Sequence, residues 1–366
     1  MSTKRTDSLP RADSLAASKR GELALLGQIR DRAAKGAGSV RLGIGDDCAL
    51  LRLRPGEEVA VTTDLSIEGR HFRLDWHPPE SVGHRALARG LSDLAAMGAR
   101  PVAAFLSLGL PRTLTQVAGR GRSWPGPSLK PWITRFFDGL MALAEACKVP
   151  LAGGDLSESP VALADIVLVG AAPRGTALLR SGARAGDLLY VTGRLGGAAA
   201  GLEGLAEVSG AVYEQSGRLK PLRIPRKLET LLAPHLYPQP RIAQGLWLRR
   251  RGLDSAARVT SAIDLSDGLS TDLAHLCEES GVGAEVDAEL VPICAGASLA
   301  QALDGGEDYE LLFTAAESAR MPRAIGGVPV TRIGRMVRLR KGRPAVSIRT
   351  PQGLKALDSM GWEHFS

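Results

Sequence analysis

On both sides of Pro173-Arg174-Gly175 the chain alternates between apolar residues at helical spacing and short apolar runs with strand character. In the first half Val59, Val61 and Thr63 alternate and read as a strand ending at Thr62-Thr63-Asp64. Leu87, Leu91 and Leu94 recur at i, i+4 and i+7, which predicts a helix over 83–97, and a buried strand follows near 101–109. A helix over about 132–147 leads to a short apolar run and Gly153-Gly154-Asp155, and 161–172 reads as a strand. The second half restarts with strand-like Leu188-Leu189-Tyr190-Val191, a glycine-rich turn and an alanine-rich helix. A strand over 258–264 ends at Asp264, and a helix follows from about Gly268 with Leu269, Leu273, Leu276 and Cys277 on one stripe. Short strands near 309–314 and 328–333 complete the pattern. Strands and helices mixed in both halves exclude an all-β fold and predict an α/β (α+β) architecture. At 366 residues the chain is comfortable for two domains, 21–172 and 173–366, behind a flexible polar tail over 1–20. A first helix runs from Gly21 to about Ala34, and 112–131, rich in Gly, Pro and Arg, reads as a surface loop or insertion.

Composition narrows the function classes. Hydrophobic residues at 44% and charged residues at 23% exclude disordered, collagen-like and small disulfide-scaffold chains. The net charge of +7 favours anionic ligands. Aromatics at 4% are too few for a stacking platform that binds single-stranded nucleic acid. Cys48, Cys147, Cys277 and Cys294 form no CxxC pair, which argues against a zinc site and fits a reducing compartment. The first twenty residues carry charge and lack an apolar core, so a secretory signal is not expected and the protein reads as cytoplasmic.

The placement of aspartates carries the chemistry. Asp46 and Asp47 follow Gly43-Ile44-Gly45, Asp64 ends a strand behind two threonines, and Asp93 follows Leu91-Ser92 within a helix. Asp155 follows two glycines, and Asp264 and Asp267 bracket Leu265-Ser266. At element ends and beside glycine, side chains converge on a ligand more readily than they do elsewhere. Clustered carboxylates repel one another and repel phosphate, so beside an anionic substrate they require cations. Hard oxygen donors of this kind select Mg²⁺. Thr62 and Thr63 add oxygen donors, and Arg180 and Arg194 would neutralise remaining phosphate charge.

Each residue also has a plainer reading. Asp267 before a helix is a natural N-cap, and Asp155 a natural turn residue. Asp93 lies about 110–130° from the centre of its helix's apolar stripe, where a flanking residue would sit. Gly193-Arg194-Leu195-Gly196-Gly197 resembles a phosphate-cradling turn, although glycine-rich turns with close helix packing are commoner. The Walker A, GxSxG, HExxH and protein-kinase patterns are absent. His71 reads as a surface histidine, Arg249-Arg250-Arg251 as a solvated face, and Glu307-Asp308 after paired glycines as an exposed acidic hairpin or a further site element. The tripeptide Leu-Ser-Asp at 91–93 and 265–267 is too short to establish an internal repeat.

Taken in order, GIGDDCAL, TTDLSIEGRHF, LSDLAAMGARP, LAGGD, LLRSGARAGD, AIDLSDGLSTDL, GGEDYEL and the terminal GWEHF resemble the thiamine-monophosphate kinase family of aminoimidazole-ribonucleotide synthetase-like enzymes. The resemblance spans about Gly21 to Phe365. It implies a two-domain subunit, a homodimer built on the N-terminal domains, and transfer of the ATP γ-phosphoryl group to thiamine monophosphate. By motif it implies that Asp47, Thr62, Thr63, Asp64, Asp93, Asp155 and Asp264 hold several Mg²⁺ ions, with Asp267 on a further one. It places Asp64, Asp93 and Asp155 at the catalytic centre and Gly154, Asp155, Arg180 and Ser266 on ATP. It places His71, Glu307 and Trp362 on thiamine monophosphate, where Trp362 offers a flat face to a heterocycle. K⁺ is a further cation the resemblance admits. The chain is similar but not identical to the family pattern: the 1–20 tail and the 112–131 loop are long, and Phe136 and Phe137 stand where a Tyr beside adenine is common. The alternatives are a sister enzyme such as selenophosphate synthetase, which would want a reactive Cys near the N-terminus, and a nucleic-acid-binding protein, which would want Lys and Arg interleaved with aromatics. No Cys precedes Cys48, and that basic pattern is absent.

Overall fold

The computed structural model describes residues 27, 29–30, 33, 38–115, 131–216, 226–252 and 258–361. The 1–20 tail, nearly all of the expected 21–34 helix, most of the 112–131 loop and Trp362 lie outside the described residues. Strands β1 (Val40–Leu42) and β2 (Leu50–Leu51) form a short antiparallel pair. Strands β3 (Glu57–Ile67), β4 (Arg100–Leu110), β5 (Leu151–Glu158) and β6 (Leu163–Pro173) form a four-stranded sheet in the order β3-β6-β4-β5, with only β4 and β5 parallel.

Helix α1 (Pro79–Ala96) lies on one face of this sheet, and α2 (Trp132–Ala146) packs against it. Pro79 starts α1 where a missing N–H costs nothing. The predicted stripe of Leu87, Leu91 and Leu94 is buried with Phe136 and Leu140 of α2 and Ile166 and Leu168 of β6. The two helices cross very closely. A Cβ on Gly83 would meet the Phe136 carbonyl oxygen at 2.0 Å, and one on Gly139 would meet that of Glu80 at 1.9 Å. The other face of the sheet is open: Val59, Val61 and Leu65 are 56%, 61% and 45% exposed.

The second half builds a larger sheet from β7 (Leu188–Thr192), β8 (Val259–Asp264), β9 (Gly283–Asp287), β10 (Leu311–Ala315), β11 (Ala324–Ile325), β12 (Val328–Val337), β13 (Val346–Thr350) and β14 (Gly353–Ala356). Its order is β14-β13-β9-β12-β7-β10-β8, with β11 on β12, and it is antiparallel except for β13–β9. The helices of this half are α3 (Gly197–Ser216), α4 (Arg226–Leu236), α5 (Ile242–Gly252), α6 (Leu269–Ser280) and α7 (Leu299–Asp304). The mixed architecture expected in both halves is thus present. The sequence pattern missed β1, β2, β9, β11, β13, β14, α4, α5 and α7.

Helix α1 belongs to both halves. Its last turn, Ala95 and Ala96, shares a core with Leu248 of α5, Tyr190 of β7 and Phe313 of β10. Gly245 of α5 allows this, since a Cβ there would lie 1.9 Å from the Ala95 carbonyl oxygen. The expected solvated face at 249–251 is only partly so: Arg250 and Arg251 are exposed, but Arg249 turns in and donates to Thr176 Oγ1 at 3.1 Å. Among the described residues no helix is long and apolar enough to cross a membrane.

Candidate active site

Arg85, Arg89 and Asp93 are spaced i, i+4, i+8 on α1 and share one face. That face looks toward the end of β3 and the loops of the second half. Strand alternation turns Thr62 and Asp64 toward α1, and Thr63 and Leu65 away. Thr62 Oγ1 donates to Asp93 Oδ2, and Arg89 Nε lies 3.5 Å from Asp64 Oδ1. From the other half, β8 delivers Asp264, 3% exposed, at its C-terminal end. The result is a cavity of about 470 Å³ lined by Asp64, Asp93, Asp264, Asp267, Arg89 and Glu307, with His71 and Ser266 at its wall.

The loop after β8 is organised from within the next helix. The Asp272 carboxylate accepts from the backbone N–H of Ser266 (3.0 Å), Asp267 (3.0 Å) and Gly268 (3.2 Å). The N-cap position falls to Gly268 with no side-chain cap, so Asp267 is not the cap the sequence offered, and it lines the cavity instead. A second irregular loop supplies Glu307: Gly306, Glu307 and Tyr309 have φ of 68°, 57° and 51°, a left-handed path that side chains resist. It sends Glu307 to Arg85 Nη2, which donates at 2.7 Å, and sends Asp308 the opposite way. Asp308 accepts from the N–H of Gly196 (2.6 Å) and Ala198 (3.1 Å), so a protein carboxylate caps α3 where a phosphate cradle was conceivable. His71 is half-buried beside the cavity, its Nδ1 accepting from the Ile67 N–H at 3.1 Å, which corrects its reading as a surface histidine.

The electrostatics are those of crowded acids. Burial, then repulsion by Asp93, pushes Asp64 up to about 6. Burial, then Asp93, pushes Asp264 up to about 7. Burial also raises Asp93, opposed by its Thr62 hydrogen bond and by Arg180, whose charge faces both Asp93 and Asp264. Glu307 behaves oppositely: burial alone would raise it, but Arg85 overrides this and holds the carboxyl down to about 2. Behind Glu307, His77 and His235 meet at 3.0 Å between their Nε2 atoms. Both are kept neutral by burial and by the Arg85 charge, His77 at about 3.

A second cavity of about 580 Å³ lies over β4 and β5, lined by Asp46, Asp47, Phe137, Gly153, Gly154 and Asp155. Asp155 pairs in register with Ser107, Ser107 with Asp165, and Asp165 with Leu65, so Asp155 shares the open face of the sheet with Thr63. Within one chain Asp47, Thr63, Gly154 and Asp155 thus stand apart from the cavity that holds Asp64, Asp93, Asp264 and Asp267. Gly154 has φ 143°, and a Cβ there would sit 1.9 Å from the Leu106 carbonyl oxygen, so no other residue fits. Phe137 lines the second cavity, whereas Phe136 is fully buried and stacks on Trp132.

Residues 45–172 match the family described as AIR synthase related protein, N-terminal domain. The thiamine-monophosphate kinase of Salmonella typhimurium strain LT2 is 39% identical, over 94% of this chain and 98% of that one. The chain belongs to the thiamine-monophosphate kinase family. The crystal structure of the Stenotrophomonas maltophilia K279a thiamine-monophosphate kinase superposes with a TM-score of 0.69 at 35% identity, covering 89% of this chain and 95% of that one. AaThiL complexed with AMPPCP and TMP gives 0.67 at 29% identity, covering 98% and 100%.

Among the described residues no three acidic, histidine or cysteine side chains are gathered tightly enough to hold a metal ion by themselves. The donor set nevertheless fits Mg²⁺. It is made of carboxylates and a hydroxyl; burial raises Asp64, Asp93 and Asp264, and repulsion by Asp93 adds to the rise at Asp64 and Asp264. Mg²⁺ keeps several waters and needs only one or two carboxylates alongside substrate phosphates. Within this family site, sequence reasoning missed Arg85, Arg89, His77, His235 and Asp272. The one available signal was the i, i+4, i+8 spacing that ties Arg85 and Arg89 to Asp93.

Proposed function

We propose that this chain transfers the γ-phosphoryl group of ATP to thiamine monophosphate, yielding thiamine diphosphate and ADP. The observation that carries the reading is identity to a thiamine-monophosphate kinase over nearly the full length of both chains. The acid-lined cavity between the two halves supports it. Gly154, Asp155, Arg180 and Ser266 would contact ATP, and the second cavity, with Phe137 in its wall, offers room for the base. His71, Glu307 and Trp362 would contact thiamine monophosphate. Glu307, held ionised by Arg85, is suited to accept from an amino group.

Asp64, Asp93 and Asp264, with Thr62 and Asp267, are the residues that would hold Mg²⁺ in the first cavity; Asp47, Thr63 and Asp155 would serve on the side of the second. Bound Mg²⁺ supplies the positive charge that lets two phosphate groups approach. Asp64 and Asp93 at the first cavity and Asp155 at the second would be the catalytic carboxylates by fixing that charge in place, and the protein's remaining task is alignment. The acceptor is an oxyanion at neutral pH, so no strong general base is required and transfer is direct and in line, without a phospho-enzyme.

The open face of the first sheet, with exposed Val59, Val61 and Leu65, supports a homodimer formed through the 21–172 half. The two sheets share no strand, which supports the division near residue 173. Scattered free thiols support a cytoplasmic location. The test is incubation of the purified protein with Mg-ATP and either thiamine monophosphate or thiamine, with and without K⁺, and quantification of thiamine diphosphate. Product from thiamine monophosphate is expected; ATP consumed with no thiamine diphosphate would overturn the reading.

A further inference from the structure

The three cavity-facing residues of α1 form a ladder. Arg85 engages Glu307, at the end of the cavity assigned above to the thiamine rings. One turn on, about 6 Å along the axis, stands Arg89. One further turn on stands Asp93, at the end assigned to the cations. Arg89 therefore occupies the level between heterocycle and metal, where the phosphate of the acceptor must pass.

The two arginines differ in how they are satisfied. Arg85 donates to the carbonyls of His235 and His71 and to the Glu307 carboxylate. Among the described residues Arg89 makes one ion pair, with Asp64 at a loose 3.5 Å, and its Nη1 is buried with no hydrogen-bond partner. Its side chain is 17% exposed and lines the cavity. A guanidinium is permanently charged, and an unpaired N–H of such a group, out of water, is costly to leave unmade. A phosphate matches it in charge and in planar two-point geometry.

We propose that Arg89 binds the phosphate of the acceptor and is the residue that makes the site prefer thiamine monophosphate to thiamine. The inference rests on the functional reading above.

The test is equilibrium binding of thiamine monophosphate and of thiamine, without nucleotide and at fixed Mg²⁺, to the wild-type chain, Arg89→Met and Arg89→Lys. Loss of a charge-assisted hydrogen-bond pair weakens thiamine monophosphate about 10- to 100-fold in Arg89→Met. Thiamine affinity stays unchanged, which also shows that the variant is folded. Arg89→Lys keeps the charge and retains part of the preference. In turnover, KM for thiamine monophosphate rises by the same factor and KM for ATP does not. Thiamine monophosphate affinity within twofold of wild type in Arg89→Met would overturn the inference, as would an equal loss for both ligands. If the wild-type chain binds no thiamine monophosphate, the functional reading falls first and takes this inference with it.

Discussion

Replacing Arg85 by Met removes the cation on which Glu307 depends. The Arg85 side chain is 5% exposed and that of Glu307 28%, so water replaces little of what is lost. Two routes give the cost. Arg85 and its neighbours hold Glu307 from 4.5 down to about 2, which at about 1.4 kcal/mol per pH unit amounts to ~3 kcal/mol. Removing one member of a buried ion pair costs about 3–5 kcal/mol. The sign follows from the direction of the shift. A carboxyl depressed in the folded state stabilises fully above its unfolded value of 4.5, and that contribution disappears as pH falls from 4.5 toward 2. Urea unfolding at pH 7 should therefore show Arg85→Met about 3 kcal/mol less stable than wild type, with the gap closing below pH 4.5. Adding Glu307→Gln should recover more than 1 kcal/mol, because the orphaned charge is gone. A loss under 1 kcal/mol for Arg85→Met, or strictly additive behaviour of the two substitutions, would refute the reasoning.

Three further outcomes are expected. Asp64→Asn or Asp93→Asn should lower kcat by orders of magnitude while leaving the fold intact, unfolding in urea no earlier than wild type because a buried, crowded charge is removed; near-normal turnover at saturating Mg²⁺ would count against their role. Gly139→Ala should cost about 1–3 kcal/mol in urea unfolding, since its Cβ would meet the Glu80 carbonyl oxygen at 1.9 Å and drive α1 from α2; an unchanged midpoint would show that the crossing yields. His77 is held neutral down to about 3, so the unfolded chain gains its proton first as pH drops below 6.5. Its contribution falls by about 2 kcal/mol between pH 6.5 and 5, and the difference between wild type and His77→Gln should narrow over that range; a constant difference would be inconsistent with a buried neutral imidazole.

The parts of this fold that repeat a strong period were legible. The strand carrying Asp64, which runs on to Ile67 instead of ending there, the helix carrying Asp93 and the strand ending at Asp264 each pair a clear apolar pattern with a carboxylate in their last turn or last few residues. What stayed hidden depended on contacts between distant segments. Asp272 looked like an ordinary helical acid, yet it ties three amides of the preceding loop. The turn at Gly193–Gly197 looked suited to phosphate, yet Asp308, more than a hundred residues away, satisfies its amides. Strands at 283–287, 346–350 and 353–356 are four or five residues long and carry charge or glycine, so their period is too short to detect. Helix α4 contains Pro234, and α5 ends in Arg249-Arg250-Arg251, features that mask an apolar stripe. Thr63 and Asp155 matched the family motif, but strand parity puts them on the opposite face from Asp64, which no motif string reveals.

The central question is whether acids from separate halves of the chain collect cations between two phosphates. A crystal of the protein grown with Mn²⁺, AMPPCP and thiamine monophosphate, measured for anomalous scattering, addresses that directly. Manganese peaks within coordination distance of Asp64, Asp93 or Asp264 and of oxygens from both ligands are predicted. Both ligands bound with those three carboxylates bare of metal would contradict it.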